Sequence, residues 1–346
     1  MRTTKTLLAS PTAIAEAAAC LRGGGLVAFP TETVYGLGAD ALNPTAVARI
    51  FAAKGRPAAD PLIVHLADAA DLGLVASDLP PAAALLAAAL WPGPLTMIVP
   101  RGPAVPPAVS AGRATVAVRV PAHPVALALI AAAGTPIAAP SANRFGHTSP
   151  TSAAHVLADL DGRIDLLIDG GPTAIGLEST VIDLTAAVPT LLRPGAVSLE
   201  RLRELLGAVA LGGRAAQGEA MIAPGLLDRH YAPESELWLC VGEPEAARTW
   251  LRQRASELLA EGLRVGLLLP DEDAELLADL GCDIERLGPQ GDLAVVAQRL
   301  YAALRALDER RPTVILARDL GEAGLGRAIR DRLTRAASGR IVRVDR

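Results

Sequence analysis

The sequence predicts an α/β protein in two domains, and three observations carry that expectation. The chain has 346 residues, about twice the length of an ordinary domain. Hydrophobic residues make up 51% and charged residues 20%, a balance that packed chains have and disordered ones lack. Short apolar runs of strand length alternate with longer runs at helical spacing along the whole chain.

In the first part, residues Ala13 to Leu21 have helical spacing, Gly23-Gly24-Gly25 ends that pattern, and Leu26 to Phe29 reads as a short buried strand. Further strands are expected at Leu62 to Leu66, Leu95 to Val99, Thr115 to Val120, Ile137 to Ala139, Leu166 to Ile168 and Thr180 to Leu184. Helices are expected at Pro44 to Ala53, Pro81 to Leu90, Val125 to Ala133 and Ser198 to Leu206. Residues 1–207 therefore read as one domain with a twisted open mixed sheet. From Gly207 to Gly225 the periodicity fades into glycine, alanine and short polar residues, and 208–233 reads as a linker. Beyond it, apolar runs at Glu236 to Val241, Leu263 to Leu269, Asp283 to Leu287, Thr313 to Ala317 and Ile341 to Val344 alternate with helices at Pro244 to Ala260, Leu293 to Leu307 and Gly326 to Ala337. That alternation predicts a smaller, Rossmann-like parallel α/β domain over 234–346. Asp271-Glu272-Asp273 reads as a solvated loop or a helix start.

Charge and composition exclude several classes. Basic residues number 33 against 37 acidic ones, so no global field gathers nucleic acid or an anionic membrane. The apolar runs are too short to span a bilayer. Pro11 and Glu16 interrupt the N-terminal apolar stretch, which argues against a signal peptide. Three cysteines without paired spacing, Cys20, Cys240 and Cys282, fit neither a disulfide framework nor a zinc site. A cytoplasmic protein is expected. The chain has no Walker loop, dinucleotide fingerprint, nucleophile elbow or His-Glu-x-x-His motif.

What remains is a set of polar loops after apolar strands, the usual ligand position in open α/β sheets. Pro30 to Gly38 crowds two threonines and a carboxylate into one stretch; taken alone it reads as helix capping by Thr31, with Gly36 and Gly38 as turn residues. Lys54 and Arg56 stand at a helix end ahead of Asp60 and a strand carrying His65. Cations there can simply complement the helix dipole. Only Lys5 and Lys54 among the basic residues are lysines, so a compact ammonium at position 54 stands out. Arg119 interrupts an apolar strand on the same face as Thr115; a buried guanidinium calls for an anionic partner, either a protein carboxylate or a ligand. Ser141 and Asn143 follow a strand, Ser149 comes soon after, and Ser179 leads toward Arg193. Hydroxyls, an amide and guanidiniums suit phosphate and ribose oxygens, while loop capping explains each one separately. Arg229-His230-Tyr231-Ala232-Pro233 closes the linker; a His-Tyr pair in an exposed connector could fold over a site as a lid or anchor one domain to the other.

Read in order, the stretches PTETVYGLG, KGRP, PLIVH, LWPGPLT, TVAVRVP, PSAN, SPT, LESTVID and LRPG resemble the YrdC-like family over residues 12 to 207. RHYAP and the α/β tail extend the resemblance to its long two-domain type, the L-threonylcarbamoyladenylate synthases. Nine short motifs in one order are far more specific than any single one. The resemblance implies that L-threonine, bicarbonate and ATP, assisted by Mg2+, give threonylcarbamoyl-AMP and pyrophosphate. A partner transferase then moves the threonylcarbamoyl group to an adenosine beside the anticodon of certain tRNAs. By the same resemblance Thr33, His65, Arg119, Ala139 and Ser179 form the threonine pocket. Arg56, Asp60, Thr115, Ser141, Asn143, Ser149, Arg193 and Tyr231 contact ATP. Lys54 and Arg56 carry the charge of the departing pyrophosphate. Family members often have Asn where Asp60 stands, and a carboxylate beside a triphosphate is repulsive unless magnesium bridges it.

Two other readings belong beside this one. A non-catalytic double-stranded RNA-binding module fits poorly with the net charge of -4 and the scarcity of aromatics. A carbamoyl-adenylating relative from metalloenzyme maturation would need further domains and more cysteines than this chain has.

Overall fold

The computed structural model describes residues 3–212 and 231–344. It divides into two units. Of the described residues, the first holds 3–145, 149–174 and 178–212, and the second holds 231–344 together with the short pieces 146–148 and 175–177. No helix among the described residues is long and apolar enough to cross a membrane, and none of the three cysteines forms a disulfide.

The strands of the first unit, in chain order, are β1 (Lys5–Leu8), β2 (Val27–Phe29), β3 (Gly36–Asp40), β4 (Ile63–His65), β5 (Leu95–Pro100), β6 (Thr115–Arg119), β7 (Ile137–Ala138), β8 (Leu166–Asp169), β9 (Thr180–Asp183), β10 (Thr190–Arg193) and β11 (Ala210–Leu211). They form one sheet in the order β1-β8-β2-β3-β7-β4-β6-β5-β9-β10-β11. Parallel and antiparallel neighbours are mixed: β4 runs parallel to β6, whereas β5 runs antiparallel to β6 and parallel to β9. The expected mixed α/β architecture is present.

Alternation along the strands decides where the core sits and where the site can be. Val64, Met97, Val99, Val116, Val118 and Ile182 point into the main core with Leu86 and Trp91. Of the residues that alternate with them, Ile63, Ile98, Ala117 and Val181 form only a small separate apolar patch. The same face carries Thr96, Arg119 and His65, all buried. A sheet face with so little hydrocarbon and several buried polar groups is built for something other than packing.

The structure corrects part of the sequence reading. Gly36 and Gly38 are strand residues in β3, not turn residues. A Cβ at Gly38 would come within 2.8 Å of both Phe29 and Ile137, so the glycine permits close side-chain packing over an extended backbone. The strands β1, β10 and β11 and the helix Ala153–Leu160 were not expected; β1 is mostly exposed at the sheet edge and gives no alternating signal.

The second unit has β12 (Glu236–Gly242), β13 (Val265–Leu269), β14 (Asp283–Arg286), β15 (Val314–Arg318) and β16 (Ile341–Val344) in the order β14-β13-β15-β12-β16. Every pairing in it is parallel, as expected. The helices Pro244–Ala260, Leu293–Glu309 and Leu325–Ala337 connect its strands. Asp271 to Asp273 begin the helix Asp271–Leu276, but Asp273 is not solvated: it is fully buried and ion-paired with Arg318 at the end of β15.

Candidate active site

The KGRP stretch is positioned by a well-capped helix. Asn43 accepts hydrogen bonds from the backbone of Thr45 and Ala46 at the start of Pro44–Lys54, and Gly55 ends it at φ +65°. Lys54 is thus the last helical residue and turns inward. Its Nζ donates to the carbonyls of Ser141 (2.6 Å) and Asn143 (2.5 Å), and Phe145 N donates back to the Lys54 carbonyl. Burial, and then the neighbouring Arg56, hold the Lys54 ammonium well below its usual pKa.

Arg56 reaches the other way. Its Nε and Nη2 donate to the carbonyls of Asp60 and Pro61, and Nη2 lies 2.8 Å from the Asp60 carboxylate. Asp60 is buried and feels Arg56, Lys54 and Arg193. Burial pushes its carboxyl pKa up while those three cations oppose the rise. The protein itself thus gives this carboxylate a guanidinium partner.

Arg193, at the end of β10, donates to the carbonyl of Ser179 (3.0 Å) and to its hydroxyl (3.1 Å). The Ser179 hydroxyl also meets Thr96 Oγ1 at 2.7 Å. One residue earlier, Glu178 accepts a 2.5 Å hydrogen bond from Ser149.

A second cluster surrounds Arg119. Its Nη1 donates to Thr33 Oγ1 (2.9 Å), its Nε to the Gly93 carbonyl (3.1 Å), and its Nη2 lies 2.5 Å from Glu32. The Thr33 hydroxyl is held by Thr31, 2.8 Å away. Thr31 also accepts from the backbone of Thr33 and Val34, but it is not the helix cap expected: the strand β3 follows and no helix starts there. His65 pairs with Arg119 in the β4–β6 register and meets the Phe29 ring edge-on at 6.4 Å. Burial, with Arg119 beside it, pushes the His65 pKa down to about 3, so its imidazole is neutral at physiological pH.

Backbone hydrogen bonds tie the two clusters together. Tyr35 N donates to Pro150, Ala142 N to Tyr35 and Leu37 N to Pro140, lacing the loop of Thr33 to those of Ser141, Asn143 and Ser149. Gly93 N donates to Val120 and Thr180 N to Pro94, joining the Arg119 strand to Ser179 through the LWPGPLT stretch. Ala139 N bonds Ile63 at the head of the His65 strand. Thr115, at the start of β6, lies on the Arg119 face. The sequence-expected residues of the first unit therefore form one connected set. Tyr231 lies with the second unit. It is buried, not exposed, with its ring against Tyr301 and under the Arg332 guanidinium 5.3 Å away. Arg229 and His230 lie outside the described residues.

Sequence reasoning passed over Glu32, Thr96 and Glu178. All three stood inside motifs already singled out, and a buried arginine that needs an anion was the signal that could have found Glu32.

Comparison with known proteins decides the family. Residues 19–195 match the Sua5/YciO/YrdC family, described as telomere recombination, and residues 197–338 match the threonylcarbamoyl-AMP synthase C-terminal domain. The chain belongs to the Sua5/YciO/YrdC family. Both parts together mark its long, two-domain Sua5 type. Threonylcarbamoyl-AMP synthase of Bacillus subtilis is 47% identical over 333 residues, covering 95% of this chain and 94% of that protein. The enzyme of the same name from Pyrococcus abyssi is 45% identical and covers 95% of each. The crystal structure of P. abyssi Sua5 complexed with L-threonine superposes with a TM-score of 0.92 at 43% identity over 99% of both chains.

Proposed function

We infer that this Sua5-type chain is a threonylcarbamoyl-AMP synthase, which joins L-threonine, bicarbonate and ATP into threonylcarbamoyl-AMP and releases pyrophosphate. The observation that carries the reading is the polar sheet face: His65, Arg119 and Thr96 with Ser179 on one side of β4, β6, β5 and β9, bordered by Lys54, Arg56 and Arg193. Relatives with that enzyme name over nearly the whole length support it.

In this reading Arg119 binds the threonine carboxylate, which a guanidinium already aligned by Thr33 and Gly93 does with little loss of entropy. His65, Ala139 and Ser179 surround the rest of the amino acid. The amine attacks bicarbonate or its dehydrated form, and a buried pocket keeps the short-lived carbamate from water. The carbamate oxygen then attacks the α-phosphorus in line. Lys54, Arg56 and Arg193 supply fixed positive charge for the leaving pyrophosphate. Ser141, Asn143, Ser149 and Thr115 hold the nucleotide. Asp60 acts chiefly by orienting Arg56. Mg2+ enters as part of the Mg·ATP substrate and supplies charge neutralisation on the phosphates; phosphate oxygens and water are ordinary magnesium ligands. The product is consumed by a threonylcarbamoyl transferase acting on tRNA, in the cytoplasm.

The test is pyrophosphate release from Mg·ATP with each substrate omitted in turn. Release that needs both L-threonine and bicarbonate supports the reading. Release that ignores either one contradicts it, as does tight binding of double-stranded RNA without turnover.

A further inference from the structure

Threonine is a zwitterion at neutral pH, and its ammonium must lose a proton before nitrogen can attack carbon. Of the residues assigned to the threonine pocket, none suits that task. Thr33 and Ser179 are hydroxyls held in hydrogen bonds, and Ala139 offers only backbone. His65 Nδ1 sits 3.2 Å from the Ile63 carbonyl, and its surroundings strongly disfavour an imidazolium. Outside that pocket, Lys54 Nζ is committed to the carbonyls of Ser141 and Asn143.

Glu32 is different. It sits beside Thr33 in the PTETVYGLG loop, buried, with Oε1 2.5 Å from Arg119 Nη2. The two groups touch as ions, but not in hydrogen-bond alignment. Both Glu32 oxygens and Arg119 Nη2 are hidden from solvent without a hydrogen-bond partner among the described residues. Glu32 Oε1 and Arg119 Nη2 are spent on each other as ions, which leaves Oε2 a buried acceptor with no donor against it, and such an atom requires an explanation. That oxygen lies beside the Arg119 guanidinium, an acceptor next to a cation, the complement of the two charged ends of an amino acid.

We propose that Glu32 is a further catalytic residue: its carboxylate receives the α-ammonium of L-threonine and removes the proton that must leave before the nitrogen attacks. This rests on the synthase reading above. In the step, one N–H bond of the ammonium breaks and the proton passes to a Glu32 oxygen. The nitrogen lone pair, so released, forms the N–C bond with bicarbonate. The C–O bond to the bicarbonate hydroxyl breaks, and that hydroxyl leaves as water with the second nitrogen proton. The carbamate keeps one N–H and one negative charge, and Glu32 later returns its proton to solvent. The charged and titratable groups facing Glu32 are Arg119 from β6 and His123 at the head of the helix Pro124–Ala133.

The experiment compares full-length wild type with Glu32→Gln and Glu32→Asp by threonine- and bicarbonate-dependent pyrophosphate release from Mg·ATP between pH 6.5 and 9. ATP affinity without threonine is measured alongside. Glu32→Gln is expected to lower kcat at pH 7 about 100-fold or more with ATP affinity unchanged. That deficit shrinks about tenfold per pH unit, as solution supplies threonine already deprotonated. Glu32→Asp, which keeps the carboxylate, recovers part of the activity. The wild type, carrying its own base, shows no tenfold-per-unit rise over the same range, a readout that stands even if Glu32→Gln does not fold. A wild-type rate that rises tenfold per pH unit overturns the proposal. So does Glu32→Gln activity within threefold of wild type, or a deficit equal at every pH. Failure of the synthase reading is distinct: the wild type itself then releases no pyrophosphate that depends on both substrates.

Discussion

Replacing Arg119 by alanine separates what this residue does for the fold from what it does for the amino acid. Arg119 is 3% exposed, and its guanidinium holds Thr33, Gly93 and Glu32 at once. Without it Glu32 is a buried charge with no counter-ion, which costs about 3–5 kcal/mol. For a unit of this size that is a fall of about 6–20 °C in thermal midpoint. The threonine carboxylate loses a charge-assisted contact of about 1.5–3 kcal/mol, an affinity loss of about 10- to 150-fold. Calorimetric titration of L-threonine in the presence of a non-hydrolysable ATP analogue reads the second effect, and thermal melting reads the first. Adding Glu32→Gln to Arg119→Ala removes the orphaned charge, so the double variant recovers most of the thermal midpoint and none of the threonine affinity. A single variant that binds threonine like wild type, or a double variant no more stable than the single one, refutes the reasoning.

Lys54→Arg lowers pyrophosphate release at least tenfold, because a planar guanidinium cannot take the place of a compact ammonium between the Ser141 and Asn143 carbonyls; unchanged kinetics contradict this. His65 has its pKa lowered from 6.5 to about 3, so between those values the unfolded chain binds the extra proton and the folded one does not. Stability therefore falls as pH drops through that window, by up to about 1.4 kcal/mol per pH unit from this group. Urea unfolding at pH 4.5 and 6.5 shows a smaller pH dependence in His65→Phe than in wild type. Tyr231→Ala removes a buried ring packed on Tyr301 and Arg332 and destabilises the second unit by about 3–5 kcal/mol, which calorimetry resolves; an unchanged unfolding transition contradicts that placement.

The legible part of this protein was its periodicity. The helix Pro244–Ala260 and the strand Ile341–Val344 lie where their apolar spacing put them, and the five parallel strands of the second unit follow from simple alternation. Local chemistry alone misled at Gly36 and Gly38, where two glycines in a polar stretch suggested a turn. Their purpose, leaving room for Phe29 and Ile137, depends on residues brought over by sheet pairing. Asp273 misled for the same reason: nothing nearby in sequence announces Arg318, its partner 45 residues on. The ordered motifs named the polar residues that the structure connects, but not their pairing. That Arg119 needs an anion was readable; that Glu32 supplies it was not, because two charges 87 residues apart meet only once β6 is in the sheet. Asp60, suspect beside a triphosphate on charge grounds, finds its reason in the Arg56 guanidinium against it.

The most direct measurement is mass spectrometry of the nucleotide formed when the purified protein receives Mg·ATP, L-threonine and carbon-13 bicarbonate. The account predicts threonylcarbamoyl-AMP carrying one labelled carbon, made with wild type and strongly reduced with Arg119→Ala. Hydrolysis of ATP with no labelled adduct, or a labelled product formed equally well by Arg119→Ala, contradicts it.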